Sequence, residues 1–451
     1  MSTPPLPDTP APRNGAQALA APASPSPSPS PSPVAGPGLG RPFAALAGAN
    51  LAAQAAEQIS LATVPIVAVM VLGAGAAQIG LLNTALSLPF LLLSIPLGLW
   101  ADRHSRRRLM LAAEAVRALS LAGLWLATAQ GRPALAVLAL LGFVGACGTV
   151  GFSVAAPALV PSLVPRQALG LANGRLELAR SAAFAAGPAL AGALVAWAGA
   201  PWAFVVATVL SGAAFALLQR LPEPPRPAAP PRHPLAELKD GARLVWHHLL
   251  LRPVLLTSVV WNIAWFVLQA AYVPHAMRTL GLDARGVGFT LAAYGAGMVI
   301  GALASPRVLA AWPFGTVVAV GPVVSVLAAG TLAASIVWPH AALAAVSMVL
   351  FGAGPILWTI SSMTLRQTVT PHAMLGRVSA IFLAANTGAR PLGALLGSAV
   401  GALAAGEAGS RPGVGEAACL VLALAAFVLQ AAILARSPVP RLARLPAPAE
   451  G

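Results

Sequence analysis

Charge is what this chain has least of. Only 9% of its 451 residues are Asp, Glu, Lys or Arg, against about 25% in an ordinary soluble domain. With 58% hydrophobic residues and a mean hydropathy of +0.80, the composition excludes a soluble globular fold and predicts a polytopic membrane protein. Lysine is nearly missing: Lys239 stands alone and follows Leu238. The Gly-Lys-Ser/Thr of a phosphate-binding loop is therefore absent, which argues against ATP hydrolysis within the chain. The two cysteines, Cys147 and Cys419, lie far apart inside apolar runs. They read as small core residues, not as a disulfide or metal pair. No clustered His/Asp/Glu or nucleophile set falls at one membrane depth, which argues against an embedded enzyme. Neither a cofactor nor a metal is expected. The net charge of +15 would suggest nucleic acid in a soluble protein. Here the arginines flank apolar runs and record topology instead, so no nucleic-acid partner is expected.

What is present is a series of apolar runs. Residues 1–42 are rich in Pro, Ser and Ala, cannot bury a core, and are expected to be a disordered tail without a signal peptide. Twelve segments of membrane-spanning length follow. They lie near 43–72, 79–100, 108–129, 133–157, 174–199, 202–221, 253–275, 287–309, 314–337, 340–362, 377–404 and 415–435. Gly/Pro/Arg punctuation separates them, as at Gly131-Arg132-Pro133 and Gly199-Ala200-Pro201. The expected organisation is an all-α membrane protein with six helices in 43–221 and six in 253–436. A cytoplasmic link occupies 222–252 and a C-terminal tail 437–451. In the link, Leu235, Leu238, Ala242, Val245 and Leu249 recur at near-helical spacing and predict an amphipathic helix on the membrane face. His247 and His248 there read as interfacial polar residues. With the N-terminus inside, 20 Lys and Arg fall inside and 4 outside, with Arg117, Arg180 and Arg390 left in spans. Both termini are therefore expected on the cytoplasmic side of the inner membrane.

The chain also repeats. Val164-Pro165-x-x-x-Leu169-Gly170 precedes span 5, and Thr370-Pro371-x-x-x-Leu375-Gly376 precedes span 11. Each span then carries a Pro among small residues, Gly187-Pro188 and Pro391-Leu392-Gly393. The offsets are 206 and 203 residues. Two six-helix halves in the same orientation are what this pattern, twelve spans and a cytoplasmic link permit.

Between spans 2 and 3 lies Gly98-x-x-x-Asp102-Arg103-x-x-Arg106-Arg107, a charged connector. Its spacing resembles the signature loop of the major facilitator superfamily, with Trp100 and Ser105 departing from the usual Leu and Gly. A plain stop-transfer cluster is the alternative reading. The stretch from Leu163 to Gly192 is similar to one branch, that of macrolide-efflux and enterobactin-exporter-type proteins, whose members are regarded as proton-driven exporters. Gly174, Gly187, Pro188 and Gly192 fit the superfamily's antiporter signature, while Ala183 and Ala191 replace glycines. Small residues also pack helices in any bundle, so both readings stay open. The resemblance covers roughly 43–436. It implies that Gly98, Asp102, Arg103, Arg106 and Arg107 form a cytoplasmic latch that holds the outward-facing state.

Ionisable groups within spans are costly and mark function by default. Glu57 lies about halfway along span 1, and Asn50, Gln54 and Gln58 share its helical face. This stripe is a candidate for proton coupling or for contact with a cationic substrate; a hydrogen-bonded structural acid is the alternative. Arg390, deep in span 11 without a local acid, must pair across helices, face water or bind an anionic group. Glu114 with Arg117, and Glu177 with Arg180, allow local ion pairs near helix starts. Span 7 presents Ser258, Trp261, Asn262, Trp265, Gln269 and Tyr272 on one face. With Tyr294 and Trp358 these suit a broad cavity for amphiphilic ligands, although Trp and Tyr also anchor helices at interfaces. The expectation is a monomeric, proton-coupled exporter of a small amphiphilic molecule. A facilitator importer or uniporter, and a non-transporting sensor or scaffold, are the alternatives.

Overall fold

The structure, a computed structural model, describes residues 1–2, 39–131, 133–165, 168–222, 234–371, 374–407 and 413–446. Most of the expected N-terminal tail and residues 223–233 of the link lie outside the described residues. Thirteen α-helices are described: α1 Gly40–Leu72, α2 Ala76–Arg103, α3 Arg106–Ala129, α4 Leu135–Leu159, α5 Leu169–Ala198, α6 Ala200–Gln219, α7 Pro234–His247, α8 Leu251–Arg278, α9 Ala284–Ala311, α10 Phe314–Ala334, α11 Ala341–Val369, α12 Leu375–Glu407 and α13 Val414–Ala435. All but α7 are long and apolar enough to cross a membrane.

The links are short because the sequence places stop signals where helices end. Gly73 closes α1 in the left-handed region at φ 64°, and its N–H caps the carbonyls of Ala68 and Val69. Gly199, at φ 89°, lets Pro201 start α6 directly after α5. Ser105 accepts a hydrogen bond from the Arg108 N–H at 3.1 Å, so one of the two residues that depart from the resembled pattern is the N-cap of α3. Only His104 and Ser105 separate α2 from α3. The charged motif is thus mostly two helix ends, not the loop its composition suggests.

Packing follows the repeat. Among the first six helices, α1 packs on α5 and α6, α3 on α4 and α6, and α2 on α4. Among the last six, α8 packs on α12 and α13, α10 on α11 and α13, and α9 on α11. The pairs correspond one to one. The two groups join reciprocally through α2 with α12 and α5 with α9.

These junctions are tight at the end of the bundle remote from the arginine-rich α2–α3 connector. A Cβ on Gly80 would lie 2.6 Å from the Ser398 nitrogen. One on Gly192 would overlap the Ala284 carbonyl and lie 2.9 Å from the Gly288 Cα. Ser398 Oγ donates to the Ala77 carbonyl at 2.7 Å. Close approach of this kind needs residues without side chains.

Helix α7 packs on α12. A Cβ on Gly241 would meet the Arg377 backbone at 3.0 Å, and Arg377 pairs with Asp240 at 3.4 Å. Of its expected apolar face, Val245 is buried, Ala242 and Leu249 are exposed, and the side chains of Leu235 and Leu238 lie outside the description. The C-terminal segment is docked on the bundle as far as Ala443. Its Leu442 carbonyl accepts from the Gly315 N–H at 2.8 Å at the start of α10, and Val439 is buried.

Candidate functional site

A central cavity of about 610 Å³ lies between the two groups of helices, on the connector side of the tight crossings. The first group gives it a set of polar side chains among apolar ones: Glu57 and Gln58 on α1, Asn83 and Ser87 on α2, Arg117 and Ser120 on α3, Thr149 on α4 and Arg180 on α5. Its wall from the second group is aromatic and amide-rich: Trp261, Asn262, Trp265 and Gln269 on α8, Tyr294 on α9, and Trp358 on α11. Arg390 reaches it from α12.

The aromatic wall is held by ring stacking. Trp261 and Trp265, one helical turn apart, stack at 5.5 Å and 9°. Tyr294 lies 5.2 Å from Trp265, and Phe351 meets the same ring edge-on at 5.1 Å. The indole N–H of Trp261 donates to Ser325 Oγ at 3.1 Å, and Ser258 Oγ donates to Asn386 Oδ1 at 2.8 Å. An inward-bonded Trp261 indole N–H, with rings stacked inside the bundle, differs from the interfacial anchoring these residues otherwise favour.

The charged groups divide into paired and open ones. Arg180 is bound by both carboxylate oxygens of Glu177, one at 2.9 Å, and its guanidinium covers the Phe184 ring at 5.2 Å. Arg117 lies 2.8 Å from Glu114, and that pair is buried. Glu57 and Arg390 are different. Among the described residues Glu57 forms no hydrogen bond and no ion pair; its charged neighbours are Arg117, Glu114, Arg390 and Arg180. Arg390 stacks on Phe90 of α2 at 5.3 Å, and its Nε is buried without a hydrogen-bond partner. A carboxyl group on α1 and a guanidinium on α12 thus share one cavity, and among the described residues neither is held in an ion pair.

The other residues singled out in the sequence fall as follows. Asn50 is buried outside the cavity and bonds the Leu176 carbonyl at 3.3 Å, tying α1 to α5. Gln54 is half-buried and does not line the cavity. Gly187 backs onto Gln58, whose Cβ would overlap any Cβ placed there. Pro188 lines the cavity, Gly192 crosses α9, and Gly174 lies in the second turn of α5. Gly98 sits near the end of α2, facing Val154. The Asp102 and Arg103 side chains lie outside the described residues. Arg107 donates to the Leu218 carbonyl at 3.2 Å and the Gln219 carbonyl at 2.6 Å, closing the C-terminal end of α6 within its own group. Arg106 begins α3 and is partnered.

Sequence reasoning passed over Asn83, Ser87 and Phe90, which follow one face of α2 at four- and three-residue steps. It also passed over Asn386, one turn before Arg390. The same helical spacing that marked α8 was available there.

A sequence profile described as Major Facilitator Superfamily matches residues 46–394. The chain belongs to that family. It is a multi-pass membrane transporter, not an enzyme. The enterobactin exporter EntS of Shigella boydii serotype 18 is 28% identical over 312 residues, 68% of this chain and 72% of that protein. The nucleoside transporter NupG shares the fold with a TM-score of 0.69 at 13% identity, covering 87% of this chain and 98% of its own. A bacterial homologue of the iron transporter ferroportin gives a TM-score of 0.67 in its inward-facing state, at 17% identity over 88% of this chain and 98% of its own. Its outward-facing state gives 0.57, at 17% identity over 87% and 98%.

Proposed function

We propose that this protein is a proton-coupled exporter of a small amphiphilic molecule in the cytoplasmic membrane. The observation that carries the reading is the pairing of an open acid, Glu57, and an open base, Arg390, in one cavity with an aromatic wall. Glu57 takes up and releases the transported proton or meets a cationic group of the cargo. Arg390 holds an anionic group, and Trp261, Trp265, Tyr294 and Trp358 cover the cargo's apolar part, with Asn262 and Gln269 supplying adaptable hydrogen bonds. The arginine-rich side is cytoplasmic, with both termini there. The tight crossings on the far side, together with the better fit to an inward-facing homologue, support an inward-facing state. Alternating access then opens the α2–α12 and α5–α9 crossings and closes the cytoplasmic side. There Asp102, Arg103 and Arg106 act as a latch, and Arg107 keeps α3 and α6 together. The partial likeness to an enterobactin exporter supports export.

Direction is tested with everted membrane vesicles offered a panel of lipophilic cations, macrolides and siderophores. Energy-dependent accumulation of a cargo is expected. Accumulation only in right-side-out vesicles would mean import and would overturn the exporter reading.

A further inference from the structure

The pair Glu114–Arg117 lies deep in α3, eight and eleven residues past its start, with 0% and 3% of each residue exposed. Burying two charges costs more than a surface pair returns unless further bonds hold them, and here such bonds are present. Arg117 Nη1 donates to the Ala53 carbonyl of α1 at 3.1 Å. Ser211 Oγ of α6 donates to Glu114 Oε2 at 2.6 Å. The Arg117 guanidinium lies 5.8 Å from the Phe152 ring of α4. Gly148 of α4 makes room: a Cβ there would come within 2.5 Å of the Ala113 carbonyl and 3.2 Å of the Arg117 Cβ. The network therefore spans α1, α3, α4 and α6.

Two features point from this network to Glu57. Ala53 stands one helical turn before Glu57 on α1, so Arg117 grips the turn that carries the acid. In addition, Arg117 lines the cavity and keeps a buried Nε with no hydrogen-bond partner. The groups that act on Glu57 are Arg117 and Glu114 of α3, Arg390 of α12 and Arg180 of α5. Arg180 is committed to Glu177, and Arg390 belongs to the other group of helices. Arg117 alone among the three arginines is hydrogen-bonded to α1.

We propose that Arg117 is the positioning residue for Glu57, extending its free Nε edge to the Glu57 carboxylate when that acid is ionised and resting on Glu114 when it is not. The inference rests on the reading of Glu57 as the coupling acid. Arg117 stays charged throughout. The one proton that moves passes between Glu57 and water in the cavity. Glu114, held by Ser211, keeps the arginine's charge compensated while Glu57 is neutral. The exchange would pull α1 toward α3 and pass the state of Glu57 to α6, biasing one of the two transporter states.

The test needs no cargo. In a chain with Cys147→Ala and Cys419→Ala, nitroxides at Arg220→Cys and Gln367→Cys report the distance between the two helix groups in reconstituted protein, at mildly acidic and mildly alkaline pH. The expected result is a distance change with pH that Arg117→Gln abolishes and Arg117→Lys retains. Glu114→Gln, which commits Arg117 to Glu57, should hold the alkaline distance at both pH values. A wild-type response in Arg117→Gln, with Glu57→Gln unresponsive, overturns the role of Arg117 and leaves that of Glu57 standing. A response that survives Glu57→Gln, or is absent from the parent chain, overturns the Glu57 reading and this one with it. If Arg117→Gln does not reach the membrane, a normal response in Glu114→Gln overturns the proposal.

Discussion

Arg278, in the last turn of α8, donates to the carbonyl of Ala74 at 3.0 Å, in the link between α1 and α2. The same guanidinium donates to the Gly73 carbonyl and reaches Glu416 of α13 at 3.1 Å. One side chain thus ties the first group of helices to the second at the sealed end. In the proposed opening of that end, Glu416 moves with Arg278 and the two carbonyls do not. Hydrogen bonds from a charged donor contribute about 1.5–3 kcal/mol. Arg278→Ala should therefore shift the population toward the state open at this end by roughly 10- to 100-fold. Spin-label distances across the sealed end would report it, and an unchanged distribution would remove Arg278 from the seal.

The α5–α9 crossing predicts a steric effect. A Cβ on Gly288 would lie 2.5 Å from the Pro188 carbonyl and 2.9 Å from the Gly192 Cα. Gly288→Val should leave membrane insertion intact and prevent closure of this end. Its cost should fall in the range of about 1–3 kcal/mol for overpacking. Thermal unfolding in detergent and alkylation of a cysteine placed at Ala284 would register the two effects.

In the cavity, Trp265 touches Trp261, Tyr294 and Phe351 at once. Aromatic pairs contribute about 0.5–1.5 kcal/mol each beyond their buried area. Trp265→Ala should raise the KM for an aromatic or lipophilic cargo about tenfold or more. Trp265→Phe should recover most of that loss. An unaffected KM in both variants would make the aromatic wall structural.

At the start of α8, His248 Nδ1 accepts from the N–H groups of Leu250 and Leu251 at 3.1 and 3.3 Å. Partial burial holds this imidazole below the usual histidine range. The unfolded chain therefore binds the proton first as pH falls, and the cap's contribution is present above about pH 6.5 and lost on acidification. The cap is worth about 1 kcal/mol. Acidification should lower the Tm of the wild type more than that of His248→Asn, which caps without titrating. Equal slopes in the two proteins would contradict the assignment.

Much of this was legible in the sequence, for reasons that also explain the gaps. Twelve apolar runs and the arginine asymmetry register through composition alone. The α8 face registered because Trp261, Trp265 and Gln269 recur at four-residue steps. Glu114 and Arg117 read only as a local ion pair near a helix start, because an acid and a base three residues apart read the same near a surface as in a buried network. Only the positions of Ala53 and Ser211, far away in sequence, separate the two. The docking of Leu442 and Ala443 onto α10 left no trace either, since two long-range backbone bonds have no periodicity. The α2–α3 motif looked like a loop because charge dominates it, whereas Ser105 caps α3 almost immediately.

The central claim is that Glu57 couples proton movement to cargo movement. It is tested most directly by transport in proteoliposomes under an imposed pH gradient, comparing wild type with Glu57→Gln on the same cargo panel. The account predicts gradient-driven movement in the wild type and its loss in the variant, with protein incorporation unchanged. Movement that ignores the gradient, or that survives Glu57→Gln with its gradient dependence intact, would contradict it.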